Sequence, residues 1–280
     1  ATHSVLALTM STLFINMVII SQIVWPNDPF HAAELGLMLG VGSWVSATSG
    51  LLFGWLADRY NRKALLFSVS VVHGLGLLIN GFSPVYDSRT VFGFFFACNL
   101  VRGFASGGVM PIMNSISSDA LEKEEKSKFF GVFQASFQLF QIMGMVSSAL
   151  FFQNNLWRIF FWIFGALNLG IAVIVFFTTQ EPKRGSTRNE LKKSLEDSET
   201  AYEYKLSKST FKSTVLSRTN VVAFAEGIFT TILMSVPDFL LLPYLQSEPH
   251  NFSPFATSMY MVLFGLPGGI LGSLAFAKMS

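Results

Sequence analysis

The sequence predicts an all-α integral membrane protein, and three observations carry that expectation. Of 280 residues, 51% are hydrophobic and 15% aromatic, with 30 Phe, while only 13% are charged; a soluble domain carries roughly 25% charged residues. Eight runs, at 4–25, 34–56, 64–82, 90–117, 129–152, 159–179, 221–245 and 254–277, are long and apolar enough to cross a bilayer core as helices. The runs are continuously apolar rather than alternating, which favours helices over a closed β-barrel.

The connections between the runs are as informative as the runs. Arg59, Arg62 and Lys63 follow the second, Lys123, Lys126 and Lys128 follow the fourth, and nine basic residues from Lys183 to Arg218 follow the sixth. The connections after the first, third, fifth and seventh runs hold Arg89 alone, with Arg158 at the mouth of the sixth. The positive-inside rule therefore predicts that the N-terminus and the connections after even-numbered runs are cytoplasmic. Trp25, Pro26, Pro29, Trp157 and Pro249 on the other side suit interfacial anchors and tight turns. One connection is long and carries both charge signs, reading as a solvated linker with a charged surface helix over 189–206 as the alternative. It divides the chain into a six-helix bundle at 1–180, a cytoplasmic linker at 181–220 and two helices of a second bundle at 221–280.

Residues 50–57 read GLLFGWLA and residues 268–275 read GGILGSLA, sharing the pattern G-x-x-x-G-x-L-A at the ends of the second and eighth runs. A protein built from two parallel six-helix halves places those two runs in equivalent positions. The second copy stops just where its charged hinge would begin, so the expectation is a fragment of a longer protein.

The first copy continues into GWLADRYNRK, residues 54–63, which closely resembles the signature after the second span of the major facilitator superfamily. Gly54, Leu56, Ala57, Asp58, Arg59, Arg62 and Lys63 match, and Asn61 stands where that pattern has glycine. With LVRG at 100–103 followed by Gly107 and Gly108, and EPKRG at 181–185, the chain resembles the Spinster branch, associated with lysolipids and sphingoid lipids. The resemblance implies a major facilitator-type helical bundle, with a complete N-terminal six-helix half and about two helices of the C-terminal half. It also implies secondary transport by alternating access, with Gly54, Asp58, Arg59, Arg62 and Lys63 forming a cytoplasmic latch between the two bundles. The chain departs from that branch in two places. Its first span, FINMVIISQIVWP, carries no charge, and FASGGVMPIMNS after Arg102 carries no acid.

Several polar residues inside the spans are candidates for transport. Arg102 lies midway along the fourth span, where a charge costs about 2.5–3.5 kcal/mol even on insertion scales. Cys98, Asn99, Arg102 and Ser106 share one face of that helix. Arginine there suits a carboxylate or phosphate headgroup in a cavity; the competing reading is a structural arginine bonded to neighbouring carbonyls. Gln134, Gln138 and Gln141 form a polar stripe along the fifth span, and Thr12 and Asn16 a smaller pair in the first. Arg102, Asn99, Gln134, Gln138, Gln141 and Asn16 are thus expected to line a substrate cavity. Asp238, between two prolines in VPDFLLLP, and Glu226 are the candidates for coupling transport to H+ or Na+. His73 reads as a packed, hydrogen-bonded histidine that could also titrate.

Other classes find little support. A net charge of +2 gives no electrostatic reason to expect nucleic acid, and a single cysteine, Cys98, excludes an internal disulfide and a cysteine-based metal cluster. P-loop, HExxH and G-x-S-x-G motifs are absent, so neither an enzyme nor a cofactor or metal is expected. The expected partners are the bilayer, a small-molecule or lipid substrate and a coupling ion. The rival readings are a proton-coupled carrier of small organic solutes, sugars or drugs, and a non-transporting sensor, scaffold or inactive fragment.

Overall fold

The computed structural model describes residues 2–26, 28, 30–121, 123–182, 216–265 and 267, with the side chains at 123, 124, 127, 128 and 234–238 left aside. Most of the linker and the second glycine copy at 268–275 therefore lie outside the described residues. The rest is helical: α1 (Thr2–Met10), α2 (Thr12–Ile15), α3 (Met17–Val24), α4 (Ala32–Ala57), α5 (Arg62–Asn80), α6 (Ser88–Ala120), α7 (Lys123–Gln153), α8 (Trp157–Thr178), α9 (Arg218–Gln246) and α10 (Pro254–Tyr260), which runs into a π-helical turn at Met261–Gly265. Among the described residues five helices, α4 to α8, are long and apolar enough to cross a membrane, and α1 to α3 pass the same test together, as a broken span or a re-entrant loop. The all-α bundle predicted from the hydrophobic runs is thus the observed architecture.

Local chemistry sets where the helices begin and end. Asn61, Asp87, Ser217 and Ser253 stand just before α5, α6, α9 and α10, and each side chain accepts a hydrogen bond from a backbone N–H of the first turn. That contact satisfies one of the donors a helix start leaves open. Pro254 opens α10 where a missing N–H costs nothing. At the end of α7, Asn155 adopts a left-handed φ of 58°, Leu156 N–H returns to the Phe151 carbonyl at 2.7 Å and Asn155 N–H to Phe152 at 3.0 Å. This is the Schellman arrangement, and it turns the chain tightly into α8.

The first span departs from the single helix expected over 4–25. It breaks at Ser11 and again at Asn16, and the second break bends it by 66°. Each helix end leaves its last carbonyls without an intrahelical donor.

Small residues bring α4 against α6. A Cβ at Gly103 would sit 2.6 Å from the Gly42 carbonyl oxygen, one at Gly50 would sit 3.2 Å from the Gly107 carbonyl oxygen, and one at Gly107 would run into the Ser46 carbonyl oxygen. Backbone meets backbone here, which is how glycine stabilises helix pairs where no hydrophobic effect operates between them. Aromatic side chains fill the end of the bundle away from the basic connections, where Phe95, Phe152, Trp157, Phe160 and Phe161 pack on Leu35, Met38 and Leu77. Aliphatic residues and Phe53 fill the basic end, around Leu66, Val69, Val109 and Ile112.

Among the described residues, α9 and α10 meet the helices before the linker at one end. Leu242 of α9 packs with Ile15, Met145 and Ala149, and Phe255, Met261 and Val262 close over them. A Cβ at Gly36 would sit 3.1 Å from Phe239 Cζ, and Gln246 Nε2 donates to the Ile15 carbonyl at 2.9 Å. By contrast, residues 218–226 and 228–233, at the basic end of α9, are all exposed.

Replacing Gly107 by Val should destabilise the folded protein by about 1–3 kcal/mol, the usual range for overpacking. Gly93→Ala should do nothing harmful, since nothing lies within 4 Å of that position. Unfolding of the detergent-solubilised protein measures both.

Candidate functional site

Two clusters of buried polar side chains stand out among the described residues. The first is at the basic end. Asn61 has extended backbone, φ −62° and ψ 115°, and its Oδ1 accepts the Ala64 N–H at 2.8 Å. That cap points the next residue, Arg62, into the bundle, where it is 1% exposed. The Arg62 backbone N–H and Nε both donate to Glu181 Oε1, at 3.0 and 3.3 Å. Nη1 donates to Asp119 Oδ2 at 2.5 Å and to the Ser115 carbonyl at 3.1 Å, and Nη2 donates to the Pro182 carbonyl at 2.8 Å. One guanidinium thus ties the start of α5, the last turn of α6 and the segment leaving α8.

The other residues expected to form a latch are not gathered with it. Arg59 lies over the Trp55 ring at 4.1 Å, and Lys63 Nζ lies 4.7 Å from the centre of Phe176 on α8. Asp58 is exposed at the end of α4, and Gly54 faces Pro111 at ordinary contact distance. Within the described residues the signature therefore braces one bundle, with Arg62 as the brace.

The second cluster surrounds the broken first span. Arg102, 6% exposed, donates from Nη2 to the Thr9 carbonyl at 2.9 Å, and its aliphatic stem lies where a side chain at Gly76 would stand. Thr9 Oγ1 lies 3.1 Å from His73 Nε2 and donates to the Leu6 carbonyl at 3.2 Å. Gln141 Nε2 donates to Ser11 Oγ at 3.0 Å. Asn16 Nδ2 donates to the Thr12 carbonyl at 2.8 Å and to Ser148 Oγ at 3.2 Å. Gly144 brings α7 so close to the Leu8 carbonyl that any Cβ there would run into it. Donors from three helices, α6, α7 and α9, converge on the span that lost its own.

Of the six residues expected in one cavity, Arg102, Gln141 and Asn16 meet at this span. Asn99 instead donates to the Met38 carbonyl at 2.8 Å and fills the space over Gly42. Gln138 is half-buried and Gln134 exposed farther along α7. Glu226 is exposed and accepts a 2.6 Å hydrogen bond from Thr230. The Asp238 side chain lies outside the described residues.

Four groups escaped the sequence reading: Thr9, Asp119, Glu181 and Gln246. Glu181 had a signal, because it opens the EPKRG motif, and Ser115 with Asp119 has the four-residue spacing of one helix face. Thr9 and Gln246 acquire their roles from the breaks, which no proline or glycine in the first span announces.

The sequence pattern of the Major Facilitator Superfamily matches residues 4–280, nearly the whole chain. The chain belongs to the Major Facilitator Superfamily. Its relatives in that superfamily include an uncharacterized transporter of Buchnera aphidicola subsp. Schizaphis graminum, 24% identical over 236 residues, which cover 82% of this chain and 55% of the relative. Multidrug resistance protein 3 of Bacillus subtilis is 26% identical over 137 residues, covering 45% of this chain and 26% of that protein. The chain thus spans about half or less of these relatives. Among solved structures, the fold is similar to a bacterial homologue of the human lysosomal transporter Spinster in an inward-facing, unoccupied conformation. The TM-score is 0.70 at 17% identity, over 100% of this chain and 61% of the other. The occupied inward-facing conformation gives 0.54 at 19% identity, over 67% and 44%. The expected superfamily, and the likeness to Spinster proteins in fold, are both observed.

Arg62→Met should leave two carboxylates without their cation and cost about 3–5 kcal/mol. The triple variant Arg62→Met, Asp119→Leu, Glu181→Leu should regain most of that loss in the same unfolding measurement. Asn61→Ala should cost about 1 kcal/mol and Asn61→Gly only a few tenths.

Proposed function

We propose that this chain is the substrate-binding half, with the start of the partner half, of a secondary active transporter working by alternating access. We further propose that its substrate is an amphiphilic organic anion of the lysophospholipid kind. The observation that carries the reading is Arg102. A buried charge in a membrane bundle is normally paired. Here two of the guanidinium donors, Nε and Nη1, have no acceptor among the described residues. An anionic headgroup would supply the missing acceptors.

The broken first span supports the same reading. Discontinuous helices mark substrate sites in secondary transporters, because unwound backbone offers groups that a regular helix keeps to itself. Contact at one end among the described residues, with the basic end of α9 exposed, supports one access state of such a transporter. By the positive-inside rule the exposed end is cytoplasmic, and so is the N-terminus. No enzyme activity is part of this proposal.

The test is uptake of radiolabelled 1-acyl-lysophosphatidylglycerol by proteoliposomes holding the full-length protein. Arg102→Gln should lower uptake by about 10- to 100-fold, the worth of a charge-assisted hydrogen bond, while the variant stays folded. Undiminished uptake by a folded Arg102→Gln would contradict the assignment.

A further inference from the structure

The neighbourhood of Arg102 contains a second group that can take up a proton, His73, in contact with Thr9. Thr9 Oγ1 lies 3.2 Å from the Leu6 carbonyl and 3.1 Å from His73 Nε2, a contact that either the hydroxyl or the imidazole can donate. The other ring nitrogen, Nδ1, is buried and without a partner among the described residues. His73 is 2% exposed, and Thr9 links it on one side to Arg102 on the other.

The charges around His73 are few. From α6 come Arg102 and Cys98, one helical turn apart. Asp119 on the same helix is held by Arg62 at the basic end, and Arg89 is exposed at the other. From α8, Asn168 is neutral with both amide atoms unpartnered, and Arg158 is occupied by the Ser83 carbonyl at 2.7 Å. From α1, His3 stacks on Phe133 and Phe137 at the basic end. From α4, Glu34 pairs with His31, while Asp58 is exposed at the opposite end. On α5 itself, Arg62 and Lys63 stand at the helix start. Arg102 is thus the fixed charge beside His73, and no carboxylate among the described residues accompanies it.

We propose that Arg102 and His73 form one site that takes up an oxyanion and a proton together. The site with neutral His73 holds a single positive charge. A second one on the imidazole would stand beside the first in a low-dielectric layer. When a phosphodiester or carboxylate anion docks on Arg102 Nε and Nη1, it cancels that charge. A proton from solvent then binds the unprotonated ring nitrogen of His73, and the imidazolium gives the anion a second cation. The loaded site again holds one net positive charge, so one anion enters with one proton. This names the coupling ion and its acceptor in a chain whose first span has no charge, and it rests on the anion reading of Arg102.

The experiment is calorimetric binding to the full-length protein in detergent, in two buffers of different ionisation enthalpy, at pH 7. The probes are 1-acyl-lysophosphatidylglycerol, an anionic lipid headgroup, and dimethyl phosphate, the same anion free of a lipid. Neither titrates near neutrality, so linked protons belong to the protein. Wild type should take up about one proton per bound lysophosphatidylglycerol. Dimethyl phosphate should show the same linkage if the site reads the anion alone, and no binding if it also needs the chain. His73→Gln, whose amide keeps the bond to Thr9, should bind with proton uptake near zero, and His73→Asn serves as a second variant if the first unfolds. Arg102→Gln should lose binding and proton uptake together. Equal proton uptake by wild type and a folded His73→Gln, or anion binding by wild type with no proton, would overturn the inference. The two readings fail separately. Proton-linked binding without uptake into vesicles would sink transport alone, whereas uptake without proton linkage would sink only the role of His73.

Discussion

A backbone carbonyl inside a membrane bundle has no water to bond, so a helix that breaks there must find donors elsewhere. The first span breaks twice, and the polar residues of the bundle interior are arranged around that requirement. Arg102 donates to the Thr9 carbonyl, Asn16 to that of Thr12 and Gln246 to that of Ile15. Gln141 and Ser148 fasten α7 at Ser11 and Asn16. A straight helix in this place would have needed none of these partners.

Two consequences follow for the whole molecule. Arg102 is brought into the bundle and placed beside His73, with fewer protein acceptors than donors. The Ile15 carbonyl receives its donor from α9, so the two halves are joined where the first span bends. Among the described residues the contact holds one hydrogen bond within an apolar cluster. The Arg62 brace, in contrast, ties three segments with five hydrogen bonds of its side chain. A joint weaker than the units it connects is what the proposed rocking motion requires.

Much of this was legible in the sequence. The run at 34–56 became Ala32–Ala57 and that at 159–179 became Trp157–Thr178, because hydropathy and terminal polar residues fix a spanning helix almost alone. Of the two glycines in the G-x-x-x-G-x-L-A pattern, Gly50 lies in close contact with the Gly107 carbonyl oxygen, whereas Gly54 lies at ordinary distance from Pro111. The break at Asn16 was not legible: Thr12-Leu13-Phe14-Ile15-Asn16-Met17 holds neither glycine nor proline, and only tertiary partners make the bend affordable. Arg62 was found but not its role, because its acceptors lie 57 and 119 residues away. Gln134, Gln138 and Gln141 share spacing yet not surroundings, since spacing fixes a helix face and says nothing of how far the neighbouring helix runs.

The central claim is that the halves part at the bend of the first span as they close at the basic end. Spin-label distances in the full-length protein with Cys98 replaced by Ala test it most directly. One label pair sits at the joined end, at Leu37 and Leu240, and the other at the open end, at Tyr60 and Val222; all four side chains are exposed. The account predicts two populations, exchanging with pH and with 1-acyl-lysophosphatidylglycerol, in which the first distance lengthens as the second shortens. Distances that lengthen together, or that stay fixed under every condition while the protein transports, would contradict it.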